Sequence, residues 1–238
     1  MNEPLKEKLM VGCLITAAVL CCTRLGILSR HTYAQTYRNE VKNVVLINPY
    51  IRPVLELKLA PDLTLIVKFP FGYKYASGTG VILSDSRYVL TAAHVVKGTS
   101  LVRISNEQGQ VAKAYVVGKS VEKDIALLRF IGPGFNVKGA ELGNEPDITD
   151  DAWYIGNPMS LRFIVTRGIV SKFHENWLLS DTVVNPGASG GPLYNGKGKL
   201  IGICSGLITV VPINSYAGHS VFVRTSVIRN FLESWNVL

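Results

Sequence analysis

The sequence contains little cysteine. Three of its four cysteines lie in an apolar stretch near the N-terminus, and only Cys204 lies in the rest of the chain. The body therefore has no partner for an internal disulfide, and cysteine usage does not indicate an oxidising compartment. No C-x-x-C pair or comparable ligand spacing occurs, so we expect neither a metal nor any other cofactor.

Charged residues are also few, at 18% of the 238 residues, and the basic ones are scattered singly although the formal net charge is +8. Nucleic-acid-binding surfaces cluster Lys and Arg on one face. The scattered pattern favours a generally basic, solvated surface. We therefore expect no nucleic-acid partner.

Long helical periodicity is absent, and no repeat of solenoid length occurs. Instead, short apolar segments alternate with the 22 glycines and 11 prolines, a pattern typical of β-strands. About a dozen short strands in two similar halves, separated by a break at 132–140, predict an all-β fold of two barrels. Only 225–235 shows helical spacing of apolar residues, behind Thr225 or Ser226 as a cap.

The N-terminus carries an apolar run of 14 residues, Leu9–Cys22. Its length fits the apolar region of a signal peptide, and it could span a membrane only if it extended over 9–28. We interpret 1–30 as an export signal or an uncleaved membrane anchor, which favours an extracytoplasmic location in the periplasm or at the cell surface. The alternative is a buried N-terminal helix. Basic residues on both sides leave the topology open.

The remaining chain divides by composition. Prolines interrupt residues 31–62, which we interpret as a linker with room for one strand. The folded body is expected over 63–238, with barrel one at about 63–135, barrel two at about 140–224 and the closing helix after it.

The stretch Asn185–Pro192 (NPGASGGP) surrounds one serine, Ser189, with glycines. Such a backbone can turn sharply and leave the hydroxyl accessible, as a nucleophile requires, with neighbouring N–H groups able to stabilise an oxyanion. The alternative is an ordinary glycine-rich turn.

Two other residues could supply the base and the orienting acid that a serine nucleophile needs. His94 follows a predicted strand and two small alanines, which leave room beside it for another side chain. Asp124 directly precedes the apolar run Ile125–Phe130, where its carboxylate would sit at the edge of a core. The alternatives are a core histidine and a simple strand-end acid.

Three segments around these residues resemble the signatures of chymotrypsin-fold serine proteases: Thr91–His94 (TAAH), Asp124–Leu128 (DIALL) and Gly187–Pro192 (GASGGP). Three further segments are similar to the HtrA-like (Do-like) branch of that family: Ile155–Pro158 (IGNP), Gly168–Ser171 (GIVS) and Asn185–Gly187 (NPG). The resemblance extends over roughly residues 63–235.

The resemblance implies two six-stranded antiparallel β-barrels and a serine endopeptidase acting on protein or peptide substrates through an acyl-enzyme. His94, Asp124 and Ser189 would form the catalytic triad, and the N–H groups of Gly187 and Ser189 the oxyanion hole. The family pattern implies a pocket for small or medium aliphatic side chains, although each of its residues could equally be a core position: Val183, Val184, Ser205, Gly206, Leu207 and Ser220.

The sequence departs from the family pattern at Ala188, where HtrA-like enzymes usually have Asn and zymogen-activated relatives have Asp. Alanine cannot pair with a freed N-terminal amine, so we expect no activation by that salt bridge. The chain ends after the closing helix, and we expect no PDZ domain. Two alternative functions are a catalytically silent protease-like binding domain and a membrane-anchored interaction protein.

Overall fold

The computed structural model describes residues 34–49, 56–59, 65–68, 77–158, 161–210 and 215–238. Residues 40–238 belong to one compact unit. Residues 34–40 are helical (α1). The apolar run Leu9–Cys22, with the predicted signal or anchor, lies outside the described residues. Within the described ranges, no helix combines the length and the apolar character needed to cross a membrane.

Six of the eight strands among the described residues of the first half of the chain close a barrel. The strands are β1 (Val44–Pro49), β2 (Glu56–Leu59), β3 (Leu65–Lys68), β4 (Gly78–Ile82), β5 (Tyr88–Thr91), β6 (Leu101–Ser105), β7 (Val111–Ser120) and β8 (Ile125–Phe130). The barrel order is β1-β4-β5-β8-β7-β6, and all neighbours are antiparallel. Strands β2 and β3 form a separate antiparallel pair.

The second half of the chain closes a second barrel of six strands, which confirms the predicted architecture. The strands are β9 (Asp151–Gly156), β10 (Ile164–His174), β11 (Trp177–Ser180), β12 (Pro192–Asn195), β13 (Leu200–Val210) and β14 (Ser215–Arg224). Their order is β10-β11-β14-β13-β12-β9, again antiparallel throughout. Each barrel encloses its own apolar cluster, the first around Ile47 and Leu128 and the second around Leu193 and Phe222.

The first barrel begins earlier than the sequence predicts. Strand β1 lies inside the stretch 31–62, which we interpret from the sequence as a linker with room for one strand, and it pairs with both β4 and β6. Its residues Val44, Val45 and Ile47 are completely buried, so the barrel cannot close without it. The predicted start at residue 63 is therefore wrong for the barrel, and β3, expected as its first strand, pairs with β2 instead.

Helix α2 (Thr225–Ser234) closes the chain as predicted and buries Val227, Ile228, Phe231 and Leu232. The predicted cap is wrong. Arg224 occupies the N-cap position without a side-chain cap, and the Thr225 hydroxyl donates to the carbonyl of Ile201 at 2.7 Å. The Glu145 carboxylate instead accepts the N–H of Ser226 at 2.9 Å. A carboxylate at this end also complements the helix dipole.

Candidate active site

His94 lies in a short 3-10 helix, Ala93–Val96, immediately after β5. The preceding alanines are buried, while the histidine side chain is 47% exposed. A Cβ on Gly190 would lie only 2.9 Å from the backbone nitrogen of Ala92. The serine-containing loop therefore packs against the backbone directly before His94.

Asp124 precedes β8 and adopts a positive φ of 47°, a conformation that few non-glycine residues occupy. Its side chain is 16% exposed. The carboxylate receives the backbone N–H of His94 at 3.0 Å, and its two oxygens lie 3.0 and 2.9 Å from His94 Nδ1. The hydroxyl of Ser205, on β13, donates to the same carboxylate at 2.5 Å.

These contacts determine the charge of Asp124 and the orientation of the imidazole. Burial alone would raise the pKa of Asp124, but the hydrogen bonds from His94 and Ser205 and the charge of His94 lower it below its usual value. An ionised carboxylate accepts the proton on Nδ1. Nε2 is then the ring nitrogen that can accept a proton from another group.

The loop around Ser189 is fixed by its own backbone. Residues 185–188 form a turn in which the N–H of Ala188 donates to the carbonyl of Asn185 at 2.9 Å. Gly187 has a φ of 95°, as the third residue of a type II turn requires. Gly190 also has a positive φ, 84°, and donates its N–H to the carbonyl of Cys204 at 2.7 Å.

Three successive carbonyls of this loop accept hydrogen bonds from outside it. The Thr79 hydroxyl donates to Gly187 at 3.0 Å, the Tyr154 hydroxyl to Ala188 at 2.7 Å, and the Thr79 N–H to Ser189 at 2.8 Å. In contrast, the N–H groups of Gly187 and Ser189 find no acceptor among the described residues. The two donors predicted for an oxyanion hole are thus unpaired within the described part of the chain.

A family model for the trypsin-like peptidase domain matches residues 78–203, which contain His94, Asp124 and Ser189. The chain belongs to this trypsin-like peptidase family. The match covers more than half of the sequence and includes strands of both barrels.

Individual relatives of this trypsin-like peptidase are DegP-like serine proteases. A protein of Halomonas elongata, named "Probable periplasmic serine endoprotease DegP-like", is 35% identical over 142 residues, 56% of this chain and 30% of that protein. The periplasmic serine endoprotease DegP of Salmonella typhimurium is 33% identical over 167 residues, 65% of this chain and 34% of its own length. The chain thus spans about a third of the length of these curated relatives.

A solved structure shows the same fold. The serine endoprotease from Yersinia pestis superimposes with a TM-score of 0.67 and 28% sequence identity, covering 85% of this chain and 65% of the other. The similarity therefore extends beyond the segment that the family model matches.

The predicted pocket residues of this trypsin-like peptidase differ in their surroundings. Ser205 binds Asp124 through its hydroxyl, and the buried Ser220 donates to the carbonyl of Thr182 at 2.6 Å. Val184 is 3% exposed and belongs to the core cluster of the second barrel, whereas Val183 is 49% exposed. Leu207 packs against that cluster, and a Cβ on Gly206 would meet no atom within 4 Å.

Sequence reasoning missed a buried polar group that supports the loop. Asn157, on the segment after β9, donates its backbone N–H to the Thr79 hydroxyl at 3.0 Å, and its side-chain oxygen accepts the N–H of Phe163 at 3.1 Å. Thr79 and Asn157 are both completely buried. Asn157 lies in the IGNP motif and Thr79 within an apolar segment, but neither pattern identifies their hydrogen-bond partners.

Proposed function

We propose that the chain is a serine endopeptidase in which Ser189 is the nucleophile, His94 the general base and acid, and Asp124 the residue that orients the histidine. The observation that carries this proposal is the pair of contacts, 2.9 and 3.0 Å, between His94 Nδ1 and the Asp124 carboxylate. The packing of the Ser189 loop against the residues before His94 supports it further.

The reaction divides into two transfers. In the first, the proton of Ser189 moves to Nε2 of His94 while Oγ bonds to the scissile carbonyl carbon, and the carbonyl oxygen becomes an oxyanion. That proton then passes to the leaving amine as the C–N bond breaks, which leaves an ester on Ser189. Water repeats the sequence: it gives a proton to Nε2, its oxygen attacks the ester, and the proton returns to Oγ as the acid product leaves.

The proposed oxyanion hole consists of the N–H groups of Gly187 and Ser189. Both lie on a loop whose carbonyls are hydrogen-bonded from outside, so the donors are oriented before substrate binds. Preorganised donors of this kind each contribute about 10²- to 10³-fold to the rate. The deep burial of Ala188, at 1% exposure, further limits movement of the loop.

We test the assignment by casein hydrolysis. Ser189→Ala and His94→Ala should abolish activity, whereas Ser84→Ala, which alters an exposed serine in a turn of the first barrel, should retain it. Equal hydrolysis by Ser189→Ala and Ser84→Ala would refute the assigned nucleophile. A folded protein without hydrolysis in any form would favour the silent binding domain.

The substrate pocket is proposed to contain Val183, Val184, Ser205, Gly206, Leu207 and Ser220. Two features of it support a preference for small or medium aliphatic side chains. None of these residues is acidic, and both serine hydroxyls donate to other groups of the protein. A peptide-library cleavage profile tests this preference, and cleavage confined to sites after Lys or Arg would contradict it.

We also propose an extracytoplasmic location, because the names of the similar proteins from Halomonas elongata and Salmonella typhimurium describe them as periplasmic. Residues 1–30 would provide export or anchoring through 9–28. Alkaline phosphatase fused behind residue 30 should become active in a bacterial host, since this reporter functions only after export. An inactive fusion at normal expression would contradict the proposal. Release of the full chain by carbonate rather than detergent would argue against an anchor.

A further inference from the structure

Tyr154 is a buried polar side chain whose partner belongs to the proposed nucleophile loop. It lies on β9, is 1% exposed, and directs its hydroxyl to the carbonyl of Ala188 at 2.7 Å. Its ring packs against Phe222 with centroids 6.1 Å apart. The side chain therefore links the core of the second barrel to the residue immediately before Ser189.

The contact fixes a peptide plane. In a trans peptide the carbonyl of one residue and the N–H of the next point in opposite directions. The Ala188 carbonyl accepts both the Tyr154 hydroxyl at 2.7 Å and the Gly191 N–H at 3.0 Å, so the N–H of Ser189 points away from these two donors. We infer that Tyr154 is a positioning residue that holds the Ser189 N–H in the orientation of an oxyanion-hole donor. The inference rests on the proposed function of Ser189.

The surroundings restrict where the Tyr154 hydroxyl can lie. A Cβ on Gly156 would overlap the hydroxyl, and a Cβ on Gly191 would come within 2.6 Å of it. Glycines of β9 and of the loop thus form a slot around this oxygen. Burial raises the pKa of Tyr154, so the hydroxyl keeps its proton and remains a donor over the pH range in which histidine titrates.

Position 188, where the sequence departs from the family pattern, contributes no polar side chain to the loop. The methyl group of Ala188 can make no hydrogen bond, and it packs in the same core cluster as Tyr154. The side-chain donors to the loop therefore come from outside it, from Tyr154 at Ala188 and from Thr79 at Gly187, beside the loop's own backbone bond from Gly191 to Ala188.

The test compares Tyr154→Phe with Tyr194→Phe in the full chain. Tyr194 is a matched control because it is also 1% exposed, and its hydroxyl has no hydrogen-bond partner among the described residues. We expect Tyr154→Phe to lower kcat for casein and the rate constant of fluorophosphonate labelling about 10- to 100-fold, since one oxyanion donor loses its alignment. KM and the pH midpoint should stay unchanged, because substrate binding and the base are not altered. Tyr194→Phe should leave every parameter unchanged.

Normalising each labelling time course to its plateau corrects for irreversibly inactive protein, and dividing the rate constant by the folded fraction from urea denaturation corrects for reversible unfolding, so partial unfolding of Tyr154→Phe does not obscure the result. Equal rate constants for the two variants would overturn the positioning role, as would a loss confined to KM or a shifted pH midpoint. Hydrolysis by Ser189→Ala would instead refute the proposed function itself. The two failures are therefore distinguishable.

Discussion

Replacing Asp124 with asparagine should separate the chemistry of the site from its stability. The wild-type carboxylate accepts three donors: the backbone N–H of His94, its Nδ1–H, and the hydroxyl of Ser205. An asparagine side chain can keep its oxygen on the backbone N–H and direct its NH₂ group towards Nδ1 and the Ser205 oxygen. Each of the three contacts then keeps a hydrogen bond, with the Ser205 oxygen now the acceptor. Nδ1 must also accept, so the ring proton moves to Nε2.

That tautomer cannot take the proton of Ser189. We therefore expect kcat/KM for casein to fall by about 10³- to 10⁴-fold, equivalent to about 4–5.5 kcal/mol of transition-state stabilisation. The free energy of unfolding should change by about 1 kcal/mol or less at neutral pH, because the hydrogen bonds are exchanged rather than lost. Steady-state kinetics and urea denaturation on the same preparation measure both quantities. Activity within tenfold of wild type would refute the reasoning, and so would a loss of activity that merely follows unfolding.

Three further predictions concern Asp124, the Ser189 loop and Cys204, the one cysteine outside the N-terminal apolar run. Ser205→Ala removes a hydrogen bond that lowers the pKa of Asp124. A folded-state pKa below the unfolded value of about 3.9 stabilises the folded protein at higher pH, and this stabilisation is lost as the pH falls through the folded-state pKa. The variant's deficit in urea-unfolding free energy should therefore be largest near neutral pH and shrink on acidification. A pH-independent deficit would contradict this. Gly190→Ala should cost about 2–5 kcal/mol in thermal denaturation, because φ is 84° and the new Cβ would overlap the Thr91 hydroxyl; a wild-type Tm would contradict the loop geometry. Burial raises the pKa of the Cys204 thiol, so peptide mapping should find it unmodified by iodoacetamide at pH 8 in the native protein and modified in urea; rapid native alkylation would contradict its burial.

The sequence predicted the parts of the fold that depend on local patterns. Strand β8 matches the apolar run Ile125–Phe130 residue for residue, and β5 is the strand predicted before His94, since each is an uninterrupted apolar run next to turn residues. Strand β1 is obscured in the sequence because its apolar residues are followed by Asn48 and Pro49, although a proline is acceptable at a strand end. Its assignment depends on pairing with β4 and β6, which the local pattern does not contain.

Gly168 lies within strand β10 and does not interrupt it. The sequence pattern predicts two segments, Phe163–Thr166 and Gly168–Ser171, but the structure has one continuous strand. The glycine is explained by a close approach from Asp181, whose carboxylate would overlap a Cβ at position 168 and accepts the N–H of Ile169 at 2.7 Å. A strand glycine can mark such an approach as well as a break.

In the candidate site, too, residues within short motifs could be predicted, whereas contacts between residues far apart in the sequence could not. His94, Asp124 and Ser189 were identifiable because each lies in a short recognisable motif. The family pattern places Ser205 in the substrate pocket, but its hydroxyl donates to Asp124, which is 81 positions away in the sequence. The sequence indicates only that Tyr154 lies in an apolar strand segment, because its contact with Ala188 arises when β9 packs against the loop.

The most direct test of the central claim is to locate a fluorophosphonate adduct by tandem mass spectrometry on the intact wild-type chain. The proposed nucleophile predicts one phosphonylated residue, Ser189, and no adduct in Ser189→Ala. Labelling should slow strongly in Asp124→Asn because the histidine tautomer is wrong. An adduct on a different serine, or labelling of Ser189→Ala at the wild-type rate, would contradict the claim.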